Sequence, residues 1–125
     1  MKIPEGYQHV MPYLIIENAV GFMGFMKNVF GAKEVLNIPR SENLIMHAEV
    51  KVGDSTIMFA DATEQFKIQP AGMFIYVENA DETYATALRV GASALSPLAD
   101  QEYGRSGGVT DPHGNVWWIT SPRSE

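Results

Sequence analysis

No cysteine occurs among the 125 residues. Disulfide scaffolding and thiolate chemistry are therefore excluded, and the chain suits a reducing compartment. Basic residues are scarce: nine Lys and Arg stand against fifteen Asp and Glu, a net charge of −6. A protein that tracks nucleic-acid phosphates needs the opposite balance, so no nucleic acid is expected as a partner. Long apolar runs are missing too. None is long enough to span a bilayer, and the opening Met1-Lys2-Ile3-Pro4-Glu5-Gly6 lacks the apolar stretch of a signal peptide. The expectation is a cytoplasmic protein with no membrane partner. Its acidity either favours a cationic ligand or serves ordinary solubility.

What the chain does contain is a repeat. Ile16-Glu17-Asn18-Ala19 returns as Val77-Glu78-Asn79-Ala80, sixty-one positions later. Gly31-Ala32 returns as Gly91-Ala92, and Gly53 as Gly114, at nearly the same offset. Half the chain length separates these pairs, so one supersecondary unit is used twice. In each copy an apolar strand leads to an asparagine that can cap a helix. Phe22, Phe25, Met26 and Val29 give the first helix a buried face, and Ala80, Tyr84, Ala87 and Leu88 give the second an apolar one. Gly31 and Gly91 fit the residue past a helix end.

Strands are predicted over 10–16, 34–38, 44–52 and 55–60, then over 73–77, 94–98, about 102–109 and 115–121. The polar stretch 63–71, with Pro70, reads as the linker. Arg105-Ser106-Gly107-Gly108 is expected to weaken its strand, because glycine packs nothing. The fold class is α+β: two tandem βαβββ modules, about 8–62 and 71–122, forming a curved eight-stranded mixed sheet within one domain of residues 1–125. Both helices should cover its convex side and leave the concave face free.

Several segments together resemble the vicinal oxygen chelate superfamily, which contains glyoxalase I, bleomycin-resistance proteins and extradiol dioxygenases. They are Pro12-Tyr13-Leu14-Ile15-Ile16-Glu17-Asn18-Ala19, Val29-Phe30-Gly31-Ala32, His47-Ala48-Glu49-Val50-Lys51-Val52-Gly53-Asp54 and Asp111-Pro112-His113-Gly114-Asn115. Within that group, His47-Ala48-Glu49 and Tyr103-Gly104-Arg105-Ser106-Gly107 look like a small bacterial glyoxalase-like subgroup. The resemblance implies a homodimer and a divalent metal held by residues of the first and last strand of each module. Transferred onto this chain, those positions are Met11, Ile57, Gly72 and Trp118. None offers the oxygen or imidazole nitrogen that a hard divalent ion needs. No cofactor is therefore expected.

Period-two alternation gives a lining for the cup. Met11, Tyr13 and Ile15 would come from the first strand, Ile57 and Phe59 from the fourth, with His47 and Glu49 between them. Phe74 and Tyr76 would come from the fifth strand, Trp118 and Thr120 from the eighth, with Tyr103 and Arg105 at the mouth. Aromatic walls with a few polar groups suit a small molecule, and equally suit a filled core. Subgroup relatives usually carry an acidic residue between the glycine and arginine of Tyr103-Gly104-Arg105; it is missing here, so the strand is one residue shorter and the facing of Arg105 is left open.

Two functions follow. One is a metal-free binder of an aromatic or cationic small molecule, with Trp118 and Tyr103 as stacking surfaces and Glu49 as charged anchor. The other is a lyase or isomerase of glyoxalase type, using His47 and Glu49 directly or a displaced metal held by His9, His47 and Glu49. For Glu49, burial should raise the pKa unless a cation compensates, and pairing with Arg105 is a structural alternative.

Overall fold

The computed structural model describes residues 1–123, which fall in two compact units, Met1–Pro70 and the residues from Ala71 onward. The first unit runs β1 (Tyr13–Ile16), α1 (Ala19–Phe30), β2 (Lys33–Ser41), β3 (Leu44–Val52) and β4 (Ser55–Asp61). The second runs β5 (Gly72–Tyr76), α2 (Ala80–Arg89), β6 (Ser93–Gln101), β7 (Gly104–Thr110) and β8 (Val116–Pro122). Each builds its own four-stranded mixed sheet, ordered β1-β4-β3-β2 and β5-β8-β7-β6, with one parallel pair at the edge. This is the tandem βαβββ arrangement. No helix among the described residues is long and apolar enough to cross a membrane.

Each helix starts where the last strand of its own unit ends. Asn18 takes the left-handed conformation (φ 58°) and accepts from the Gly21 amide at 3.0 Å. A Cβ at position 21 would run into that asparagine side chain, so glycine there leaves Asn18 its capping position. Asp61 at the end of β4 accepts from the Ala19 amide at 2.9 Å and the Ile45 amide at 2.6 Å, tying α1, β3 and β4 together. In the second unit Asn79 caps Glu82 and Ser121 takes the place of Asp61, accepting from the Ala80 amide at 2.5 Å. Gly31 ends α1 at φ 64°.

One face of each sheet is sealed by its helix. Phe22 of α1 meets Phe59 of β4 edge-on, with centroids 4.9 Å apart, and both are fully buried. Leu14, Ala48, Val50 and Ile57 share that face through the strand register and are buried with them. In the second unit Trp117, Ile119 and Val109 lie buried on the face that Tyr84 of α2 covers. Complete burial of one such side chain stabilises the fold by roughly 1.5–3 kcal/mol.

Strands β1, β2, β6 and β7 differ from the sequence expectation. β1 begins at Tyr13 rather than at position 10, because Pro12 has no N–H to extend the ladder. The preceding segment instead turns across the sheet, where the Gln8 side chain accepts from the Thr56 amide and the Gly6 carbonyl from its hydroxyl. β2 and β6 each run to nine residues, with register shifts where their ladders are interrupted. β7 forms over Gly104–Thr110 with its glycines in place. They make room: a Cβ at Gly107 would lie 2.9 Å from the Tyr84 ring, and one at Gly108 2.6 Å from the Trp118 ring.

Candidate functional site

The sheet faces turned away from the helices carry the chemistry. On the first sheet, Glu49 and Met58 are register partners, and so are Met58 and Tyr13. Period-two alternation brings His47 to the same face as Glu49. There four side chains form one hydrogen-bonded chain. The Tyr7 hydroxyl donates to Glu49 Oε1 at 2.7 Å, His47 Nε2 bonds Glu49 Oε2 at 2.7 Å, and His47 Nδ1 meets the Tyr13 hydroxyl at 3.0 Å. Burial pushes the Glu49 carboxyl up, but the hydrogen bonds from Tyr7 and His47 and the attraction of His47 outweigh it. The group lies below its ordinary carboxylate value. The same contact raises the Tyr7 phenol, chiefly because its hydrogen bond goes to Glu49.

With both oxygens engaged and its anion favoured, Glu49 is poorly placed to take a proton from a substrate. Sequence reasoning missed Tyr7. A signal did exist: a carboxylate turned inward with one histidine partner still needs a donor for its second oxygen.

The second sheet presents aromatics on the corresponding face. Phe74 and Trp118 are register partners, and Trp118 lies opposite Gly108. Phe74 packs edge-on against Tyr76 at 5.2 Å between centroids and tilted against Tyr103 at 6.0 Å. All four rings are exposed, Trp118 the least at 39 %. Beneath them Ser106 and Thr120 share a buried hydrogen bond of 2.9 Å.

Two expected lining residues belong elsewhere. Ile57 and Phe59 point to α1, not to the open face, because the spacing from the turn glycine differs by one between the halves. Tyr13 pairs with Met58 and Phe74 with Trp118, so Met58 is the counterpart of Trp118. Arg105 also lies off the aromatic face. Its guanidinium bonds Asp81, at the start of α2, through two nitrogens at 2.8 and 3.0 Å, and Asp100 at 3.2 Å. Those hydrogen bonds, Asp81 first, raise the arginine above its ordinary value, and Asp81 is lowered in turn. Glu49 therefore has Tyr7 and His47 as its partners, and Arg105 has the two aspartates.

Met11 precedes β1, half-buried, and Gly72 opens β5. With Met58 replacing Ile57, the family's metal positions offer two thioethers, a glycine and an indole. This donor set does not fit a divalent ion. Nor is the displaced site assembled: among the described residues no three His, Cys, Asp or Glu form a group that could hold a metal. His9 is exposed on the N-terminal segment. His113 lies in the β7–β8 turn that Asp111 organises, accepting from the His113 and Asn115 amides and the Trp117 indole.

Comparison with known proteins places this geometry. The profile of the Glyoxalase/Bleomycin resistance protein/Dioxygenase superfamily matches residues 6–119. An uncharacterised protein of Mycobacterium bovis is 27 % identical over 126 aligned residues, covering 91 % of this chain and 83 % of the relative. Among solved structures, TioX from Micromonospora sp. ML1 superposes with a TM-score of 0.76 at 22 % identity, over 94 % of this chain and all of that one. TnmS3, an antibiotic binding protein from Streptomyces sp. CB03234, superposes at 0.72 and 17 % identity, over 94 % and 98 %. At these identities the superpositions speak for the fold alone.

Proposed function

The chain belongs to the glyoxalase/bleomycin resistance protein/dioxygenase superfamily, and on that footing we propose that it binds an aromatic or cationic small molecule on its open sheet faces, without a metal. The observation that carries this reading is the exposed cluster of Phe74, Tyr76, Tyr103 and Trp118. Rings that merely filled a core would be buried, whereas these are exposed and lie beside one another. Such faces attract a cation by roughly 0.5–2 kcal/mol and stack on other rings for about 0.5–1.5 kcal/mol each. The antibiotic-binding description of TnmS3 is in keeping with it. A catalytic role for Glu49 as base is disfavoured by its two occupied oxygens and lowered pKa.

A thermal-shift screen of aromatic cations tests the proposal, since a ligand that binds only the folded state raises the melting temperature. Trp118→Ala should weaken any hit about three- to tenfold, the equivalent of one lost stacking contact. Hits that bind Trp118→Ala and Tyr103→Ala as tightly as the parent place the site elsewhere.

The protein further acts, in this proposal, as a homodimer. β2 is an edge strand exposed along its whole length, including Val35, Leu36 and Ile38, and an uncovered apolar edge invites pairing. Analytical ultracentrifugation should return twice the chain mass of 13.8 kDa. A monomer at micromolar concentration contradicts it.

A further inference from the structure

Counting donors along the chain Tyr7–Glu49–His47–Tyr13 fixes the polarity of its exposed end. A carboxylate only accepts, so the Tyr7 hydroxyl and His47 Nε2 must both donate to Glu49. With the imidazole neutral, the hydrogen on Nε2 leaves Nδ1 bare, and Nδ1 then accepts the Tyr13 hydroxyl hydrogen across 3.0 Å. Exposure rises along this path. The Glu49 side chain is 4 % exposed and that of His47 21 %, while Tyr13 is 47 % exposed. In that neutral form of the ring, Tyr13 Oη has its proton turned inward and its lone pairs left for a ligand. The buried anion reaches the surface as a hydrogen-bond acceptor.

The geometry points to Tyr13 Oη as an acceptor site for an aromatic ligand that carries its own O–H or N–H donor. The site rests on the small-molecule reading above and deepens it. Specificity on the first sheet then comes from Tyr13, with His47 and Glu49 as positioning residues that hold its proton, rather than from direct contact with Glu49. The tilted stack of the Tyr13 and His47 rings, 5.3 Å between centroids, offers an aromatic surface beside the acceptor. A ligand that can only accept meets lone pair against lone pair and is rejected. This asymmetry between otherwise similar molecules is the strongest discrimination a hydrogen-bonding site provides.

Phenol and anisole are a fitting pair of probes, nearly the same shape, one with a donor and one without. The isotope-labelled full chain is titrated with each at about pH 8, above the usual imidazole range, reading the Tyr13 and His47 resonances. Phenol is expected to bind about five- to tenfold tighter than anisole, the effect of one neutral hydrogen bond. Tyr13→Phe should erase that preference by weakening phenol alone, and the same spectrum checks that the variant is folded. The imidazole nitrogen shifts should report hydrogen on Nε2 and none on Nδ1, with no ligand needed. The assignment is overturned if anisole binds as tightly as phenol, if the preference survives Tyr13→Phe, if neither probe moves Tyr13, or if Nδ1 carries the hydrogen. Loss of this assignment leaves the screen on Trp118 standing, and failure of that screen leaves the imidazole readout standing.

Discussion

The two units run the same row of positions across their sheets and fill it with opposite chemistry. In the first the row reads Tyr13, Met58, Glu49, Leu36, and in the second Phe74, Trp118, Gly108, Ser96. Where the first sheet has a flexible methionine beside a carboxylate, the second has an indole lying over a glycine. Gly108 gives Trp118 the room that a larger residue would take away. Glu49 accepts instead from Tyr7, which the N-terminal segment carries across the sheet. The centres of the helix-covered faces, by contrast, are apolar in both copies, with polar groups such as Asp61 and Arg105 toward their ends. Duplication has kept the core and let the open faces diverge, one into a polar relay and the other into an aromatic platform.

The contrast between the two faces breaks first on stability. Phe59 is fully buried against Phe22, so Phe59→Ala should cost about 3–5 kcal/mol in denaturant unfolding, transfer and cavity terms together. Trp118→Ala removes a larger side chain from the open face of the other unit and should cost about 1 kcal/mol or less. Equal losses would mean that Trp118 is core and that the faces are not distinct.

The relay comes next. Glu49→Ala strands the hydrogens of Tyr7 and His47 and should destabilise by about 1–3 kcal/mol. Because the folded Glu49 titrates below its ordinary value of 4.5, its contribution is fully present above that value. It is lost as pH falls through the lower, folded one. The parent should therefore lose stability on acidification more steeply than Glu49→Ala does, with the gap closing below about pH 4. Parallel curves for the two proteins would remove the relay from the account.

Much of the fold was legible in the sequence, and the reasons are local. The asparagine caps and most of the helical faces depend on neighbours in the chain, so Asn18, Asn79 and Gly31 stand where the pattern put them, while Leu88, expected on the apolar face of α2, is 37 % exposed. Register is less local. Counting four residues from Gly53 and from Gly114 gave Ile57 and Trp118, yet the first turn is tighter, and a slip of one residue exchanges the faces of a strand. Long-range partners were the least legible. Tyr7 reaches Glu49 over forty-two positions and Arg105 reaches Asp81 over twenty-four. No spacing rule encodes either.

Arg105 gives the smallest expected effect and the sharpest test of which face is which. The sequence placed it at the mouth of a binding cup, whereas its guanidinium holds Asp81 and Asp100 on the helix side of the second sheet. All three side chains are exposed to solvent, so salt screens the pairs and side-chain ordering offsets much of their attraction. One part should survive: Asp81 stands in the first turn of α2, where a negative charge suits the helix dipole with or without its arginine. Arg105→Ala is therefore expected to shift the melting temperature only slightly, and less still in high salt. A ligand found to depend on Trp118 should bind the Arg105→Ala protein as tightly as the parent. If Arg105→Ala instead weakens that ligand as much as Trp118→Ala does, the arginine leaves its aspartates to meet the ligand, and the division of β7 into a helix face and a ligand face fails at residue 105.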